Sequence, residues 1–139
     1  KPGFHVAPPQ GWMNDPNGPL EFPAGQLYHL FYQYNPSSPK WAAPSWGHVA
    51  SADLVHWMQL PSVALQPAAY YDSDGVFSGS ATLLTNGTPA IMYTGVSRFE
   101  DLGYYYQVQA LATPTNTSDP LLQHWLKRSD PVMPLAPPG

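Results

Sequence analysis

Eighteen prolines are scattered along this 139-residue sequence, where an average composition would place about seven. They leave no window in which a helical period is sustained for about 12 residues. Between them lie short runs rich in aromatic and β-branched residues, each bounded by Pro, Gly, Asn, Asp or Ser: Gly18 to Phe22, Gln26 to Tyr34, Trp46 to Ser51, Leu54 to Leu60, Val76 to Leu84, Ala90 to Tyr93 and Tyr105 to Thr113. Such runs read as strands, and the predicted fold class is all-β.

A faint internal repeat organises these strands. Ser51-Ala52-Asp53-Leu54-Val55-His56-Trp57 returns as Ser118-Asp119-Pro120-Leu121-Leu122-Gln123-His124-Trp125, and Leu30-Phe31-Tyr32 returns as Ile91-Met92-Tyr93. The repeat spans roughly 60 to 70 positions, enough for about four short strands with long loops, which describes a propeller blade. Propellers close with about four to eight blades, so the chain has room for roughly two. Asp53 and Asp119 fall at related points of the repeat, which favours a bracing role in a turn over chemistry.

The charge pattern narrows the partners. Five Lys plus Arg against nine Asp plus Glu give a net charge of -4, leaving no basic patch for nucleic acid. No run of about 18 apolar residues predicts a membrane span. The sequence lacks a starting Met and a signal-like apolar segment, so its front end reads as processed or cut. The absence of Cys removes disulfide and thiolate chemistry. His5, His29, His48, His56 and His124 match no metal-ligand spacing, so they read as structural or solvated, and neither metal nor cofactor is expected. Asn86-Gly87-Thr88 and Asn116-Thr117-Ser118 fit N-glycosylation acceptors and a secreted or vacuolar route.

The segment with chemical promise is Trp12-Met13-Asn14-Asp15-Pro16-Asn17-Gly18. Asn17-Gly18 is the strongest short turn signal in the chain and Pro16 fixes φ just before it, so Asp15 is expected where a strand begins or ends. Flanking amides from Asn14 and Asn17 favour an ionised carboxylate, suited to a nucleophile and not to a general acid. Asp72-Ser73-Asp74-Gly75 reads as a tight turn whose carboxylates could reach the rim of a site near Phe77.

Taken together, Trp12 to Gly18, Tyr32-Gln33-Tyr34-Asn35-Pro36, Trp46-Gly47-His48, Asp53 to Trp57, Gly75-Val76-Phe77-Ser78-Gly79-Ser80, Tyr93-Thr94-Gly95 and Gln107-Val108-Gln109 resemble glycoside hydrolase family 32, the invertases and related fructan enzymes, nearly end to end. The resemblance implies a five-bladed β-propeller, of which this chain holds roughly the first two blades, usually followed by a β-sandwich. It also implies a funnel-shaped site on the propeller axis and a retaining reaction on sucrose or a short fructan. In that reaction one carboxylate attacks the anomeric carbon, while a second carboxyl protonates the leaving oxygen and then activates water. Asp15 matches the nucleophile; Asn14, Gln33, Trp41, Phe77 and Ser78 match positions that hold the terminal fructosyl unit. Trp41 is followed by Ala42 where the family usually has Gly, and Phe77 stands where plant members commonly carry Trp.

The other two acids of the resemblance are missing. The family's acid/base is a Glu directly before a Cys, and this chain offers only Glu21 and Glu100 and no Cys. The transition-state Asp lies in an Arg-Asp-Pro triplet, whereas Arg128-Ser129-Asp130-Pro131 has an intervening Ser and sits in a segment that precedes the triplet. The leading expectation is therefore the N-terminal part of a β-fructofuranosidase. A fructosyltransferase with the same covalent intermediate, a catalytically silent sugar-binding homologue, and an inverting five-bladed enzyme are the alternatives. Loss of a general acid/base alone costs about 10² to 10⁴ in rate, so residues 1–139 in isolation are expected to show no hydrolysis. Sucrose turnover by the purified chain above that of its Asp15→Ala variant would overturn this.

Overall fold

The computed structural model describes residues 5–98 and 105–134. Within them the chain forms strands and no helix: β1 (Trp12–Glu21), β2 (Tyr28–Asn35), β3 (Ser45–Ser51), β4 (Met58–Gln59), β5 (Gly75–Leu83), β6 (Pro89–Arg98), β7 (Tyr105–Pro114) and β8 (Trp125–Lys127). They make two four-stranded antiparallel sheets ordered β1-β2-β3-β4 and β5-β6-β7-β8. Each is a meander in which neighbours in sequence are neighbours in space, the expected pattern of a blade. The repeat maps onto this order: Leu30-Phe31-Tyr32 and Ile91-Met92-Tyr93 lie in the second strand of each sheet, and Trp57 and Trp125 introduce the fourth.

The repeated Asp residues brace the turn before that fourth strand. Asp53 Oδ1 accepts from the backbone N–H of Val55 and His56, and Asp119 accepts from Leu121 and Gln123. In both turns the residue three before the Trp lies in the left-handed region, Leu54 at φ 63° and Leu122 at φ 47°. This is uncommon for a non-glycine residue, and the side-chain bonds of the turn hold it there. The predicted strand Leu54 to Leu60 accordingly shrinks to Met58–Gln59, because the backbone donors before it are spent on Asp53 and on Ser51 Oγ. His56 Nδ1 also bonds Asp53 and is the main influence holding that carboxyl well below its usual range.

The core fills the gap between the sheets. Phe31 and Trp46 from the first meet Tyr71, Val76, Ile91, Tyr93, Val108, Ala110 and Ala112 of the second half. Phe31 makes ring contacts with both Trp46 and Trp125 at centroid distances of 5.7 Å. Asp72, expected in a turn with its carboxylate near the rim, does make the turn, accepting from Gly75 N–H on its carbonyl at 3.1 Å. Its side chain, however, is fully buried. Oδ1 accepts from the N–H groups of Ala68 and Ala69, and Oδ2 accepts from Tyr93 OH and Lys127 Nζ. Asp72 thus ties the linker between the sheets to β6 and β8, and removing one partner of such a buried pair typically costs about 3–5 kcal/mol.

His29 and His48 are a second buried polar node, each 1% exposed. His29 Nε2 faces the Phe22 carbonyl at 2.7 Å and must donate to it, so Nδ1 accepts, and His48 Nε2–H donates to that atom across 2.9 Å. Both rings are neutral in this arrangement. Burial holds both imidazoles below their ordinary range, His48 well below it, although the Asp119 carboxylate and the carbonyls of Phe22 and Pro120 partly oppose this at His29. An unfolded chain therefore takes up these protons before the folded one does as the pH falls below about 6.5. The contribution is complete above that pH and is lost on acidification. The thermal midpoint is expected to fall between about pH 7 and pH 5, and His48→Phe is expected to flatten the decline. A decline of equal slope in His48→Phe would count against the pair as its source.

Candidate active site

Register irregularities place the candidate residues. Along β1 and β2, Met13 pairs with Tyr34 and Pro16 with Tyr32, so Asn14 and Asp15 together stand opposite the single residue Gln33. This is a β-bulge, a device that re-aims side chains. A second shift between Asn17 and Leu20 sets Gly18 and Pro19 opposite Leu30, with Gly18 at φ 48°. The expected strand end at Asp15 is therefore not found: Asn17-Gly18 bends the strand without reversing it, because β2 continues to pair on both sides. Pro16 and Pro19 are tolerated because β1 is an edge strand and need not donate on its open side.

The second sheet supplies a matching irregularity. Phe77 pairs with Thr94 and Gly79 with Tyr93, leaving Ser78 as the extra residue of a bulge in β5. Its hydroxyl crosses between the sheets and donates to Asp15 Oδ2 at 2.7 Å. Asp15 is exposed; its Oδ1 has only a long 3.4 Å contact from Asn14 Nδ2. Asn14 is in turn oriented by Trp12, whose indole N–H donates to Asn14 Oδ1 at 3.0 Å. Asn17, expected beside Asp15 as an amide partner, instead accepts from Gly79 N–H across the gap.

The remaining candidates frame this pair. Gln33 is 3% exposed, and its Nε2 donates to the Val76 carbonyl at 3.0 Å, joining β2 to the start of β5. Trp41 is 48% exposed and meets Phe77 edge to face at a centroid distance of 6.0 Å, making an apolar wall beside Ser78. The loop carrying Trp41 is anchored where Val76 N–H donates to the Pro44 carbonyl. Trp46, read only as part of a motif, is a hidden support: its indole N–H donates to the Phe77 carbonyl at 3.0 Å. The glycines on either side of Val76-Phe77-Ser78 were the available signal for a bulge.

An exposed carboxylate with one oxygen held by a hydroxyl, the other met only by the long contact from Asn14, and amide and aromatic groups alongside is an arrangement that a nucleophile acting on a sugar would need. A groove of about 590 Å³ between Ser62–Ala69 and Gln123–Ser129 contains none of these residues. Glu21 closes β1 and accepts from Gly25 N–H. At about 3.3 Å per residue it stands roughly 20 Å from Asp15, too far to act with it on one bond. Glu100 lies outside the described residues. Asp130 is exposed, accepts from Tyr70 OH at 3.2 Å, and follows the outer strand β8, not the inner edge where Asp15 stands.

Comparison with known proteins agrees with the two-sheet fold. The description "Glycosyl hydrolases family 32 N-terminal domain" matches residues 5–139. The chain is 50% identical over 137 residues to an acid beta-fructofuranosidase of Solanum lycopersicum, covering 98% of this chain and 20% of that protein. It is 49% identical over 136 residues to the vacuolar acid beta-fructofuranosidase 1 of a Rosa hybrid cultivar, covering 98% and 22%. The crystal structure of fructan 1-exohydrolase IIa from Cichorium intybus in complex with 1-kestose superposes with a TM-score of 0.86 at 42% identity, covering 100% of this chain and 24% of that one. The chain thus spans about a fifth of the length of the curated relatives it matches, and the two sheets are blades of the kind those propellers contain. From the matched motif, the paired sheets and these relatives, the chain belongs to glycosyl hydrolase family 32.

Proposed function

We propose that this chain is the front part of the catalytic propeller of a retaining β-fructofuranosidase acting on terminal fructosyl units of sucrose or short fructans. The observation that carries the reading is the Ser78 to Asp15 hydrogen bond of 2.7 Å, made across two bulged edge strands. With Oδ2 held by the hydroxyl, Oδ1 is the oxygen that attacks the anomeric carbon, and the covalent fructosyl intermediate is then released to water. Asn14 and the free hydrogen-bonding capacity of Gln33 bind ring hydroxyls, and the Trp41–Phe77 wall meets the sugar's apolar face. The carboxyl that protonates the leaving oxygen comes from outside this chain.

The relative from Rosa is named vacuolar, and both acceptor motifs suit passage along the secretory route to a vacuole or the exterior. Asn86 and Asn116 are exposed, and each accepts from the backbone N–H two residues on, that of Thr88 at 3.0 Å and of Ser118 at 2.9 Å. Both turns lie at the end of the second sheet away from Ser78, so glycans there leave the site open. Expression in a secreting eukaryotic host is expected to yield a protein whose gel mobility increases on treatment with a peptide N-glycosidase. Unchanged mobility would argue against that route.

In the complete enzyme carrying this chain, Asp15→Ala is expected to lower kcat on sucrose by about 10⁴-fold or more, as loss of a covalent nucleophile does. Ser78→Ala removes one hydrogen bond to a charged group, so kcat/KM should fall about tenfold to a hundredfold. Steady-state kinetics checks both, and sucrose hydrolysis that survives Asp15→Ala would overturn the assignment.

A further inference from the structure

The structure assigns to Asn17 the role of a positioning residue: its buried amide pins the two inner strands so that the bulges carrying Asp15 and Ser78 meet. We infer this from geometry around Asn17, and it rests on the proposed reading of Asp15 as nucleophile.

Asn17 is 3% exposed and pairs with Phe31 between the two register shifts of β1. It is the fixed point from which the Asn14–Asp15 bulge departs on one side and Gly18–Pro19 on the other. Its Oδ1 accepts from Gly79 N–H at 3.3 Å, and Gly79 is the first paired residue after the Ser78 bulge. One hydrogen bond between the sheets therefore joins the residue two beyond Asp15 to the residue directly after Ser78. Gly79 has little freedom of its own, since a Cβ there would lie 2.1 Å from the Met92 carbonyl oxygen. The backbone of β5 is pressed against β6 at this point.

The chemistry of the side chain fits the task. A strand at the edge of a sheet has backbone donors with no neighbouring strand to receive them, and on β5 the side-chain oxygen of Asn17 takes up one of these, the Gly79 N–H. An aspartate would offer the same acceptor but would put a second negative charge two residues from Asp15. The neutral amide supplies the oxygen without that repulsion. Its cost is visible: Nδ2 is buried with no hydrogen-bond partner among the described residues, and uncompensated buried donors are retained where something else requires the group.

The test is a double-mutant cycle in the complete enzyme carrying this chain, with sucrose as substrate. Asn17→Ala is expected to lower kcat about tenfold while KM changes less than about threefold, because misplacement of a reacting group is felt in the chemical step. If Asn17 acts through Ser78, Asn17→Ala/Ser78→Ala will be no slower than Ser78→Ala alone, within about twofold. A residue of purely structural importance would instead lower the recovered amount of active protein and leave its kcat intact. Rate losses that multiply in the double variant, or an unchanged kcat in Asn17→Ala, would overturn the proposal. If Asn17→Ala is not recovered folded, Asn17→Ser takes its place in the same cycle. Amide exchange at Gly79 reads the tether without turnover: its N–H should exchange at least about tenfold faster in the variant, and an unchanged rate would refute the tether even if the unsubstituted enzyme fails to cleave sucrose. That last failure would refute the hydrolase reading separately.

Discussion

Everything in this structure depends on how closely the inner edges of its two sheets approach. The contacts Asp15 to Ser78, Asn17 to Gly79 and Gly18 to Ala81 advance in step along both strands, so β1 and β5 run side by side in the same direction. Gly18 makes this possible: a Cβ there would lie 3.0 Å from that of Ala81 and 3.3 Å from the Phe31 ring. Behind this line the aromatic core seals the two sheets together, and the buried Asp72, Tyr93 and Lys127 node fixes the linker that separates them. The hydrophobic contacts supply the attraction, while the polar node sets which arrangement of the sheets is accepted.

The candidate site occupies the places where the ladder is imperfect. A regular strand alternates its side chains between two faces, and neighbours such as Asn14 and Asp15 could not then serve one location. The bulges remove that restriction. Opposite Gln33, the β1 bulge turns Asp15 toward the second sheet, and the β5 bulge turns Ser78 to meet it. Rigidity comes from buried groups reaching the same short stretch: Gln33 bonds the Val76 carbonyl, Trp46 bonds the Phe77 carbonyl, and the Pro44 carbonyl takes the Val76 N–H. An exposed carboxylate thus sits on strands that buried side chains brace from behind.

Much of the fold was legible in the sequence because strands of a meander announce themselves locally. The runs read as strands at 46–51 and 105–113 fall within β3 and β7, and the run at 26–34 starts two residues ahead of β2; the repeated Trp57 and Trp125 fall just before β4 and at the start of β8. Misreadings occurred where local chemistry has two outcomes. Asn17-Gly18 is compatible with a hairpin turn or a bulge, and only the continuing partner β2 decides. Leu54 to Leu60 has strand-like residues, but Asp53 captures their backbone donors first. For the site, Asp15 and Ser78 were named from motifs, yet nothing local shows that they touch. The cross-sheet roles of Asn17 and Trp46 are likewise invisible without tertiary structure, since each acts on a residue tens of positions away in sequence.

The bond between Ser78 and Asp15 spans 63 positions of chain, while nearly every strand pairing is with the next strand along. Each sheet can therefore zip up from short loops, whereas the site exists only after two finished sheets have docked, and closing so long a connection is entropically slow. Strand pairing and the candidate site are coupled in one direction: the pairings within a sheet do not need the Ser78–Asp15 contact, but that contact needs the two sheets docked. A loosening of the seam between the sheets would part Ser78 from Asp15 while leaving the strand pairings within each sheet in place.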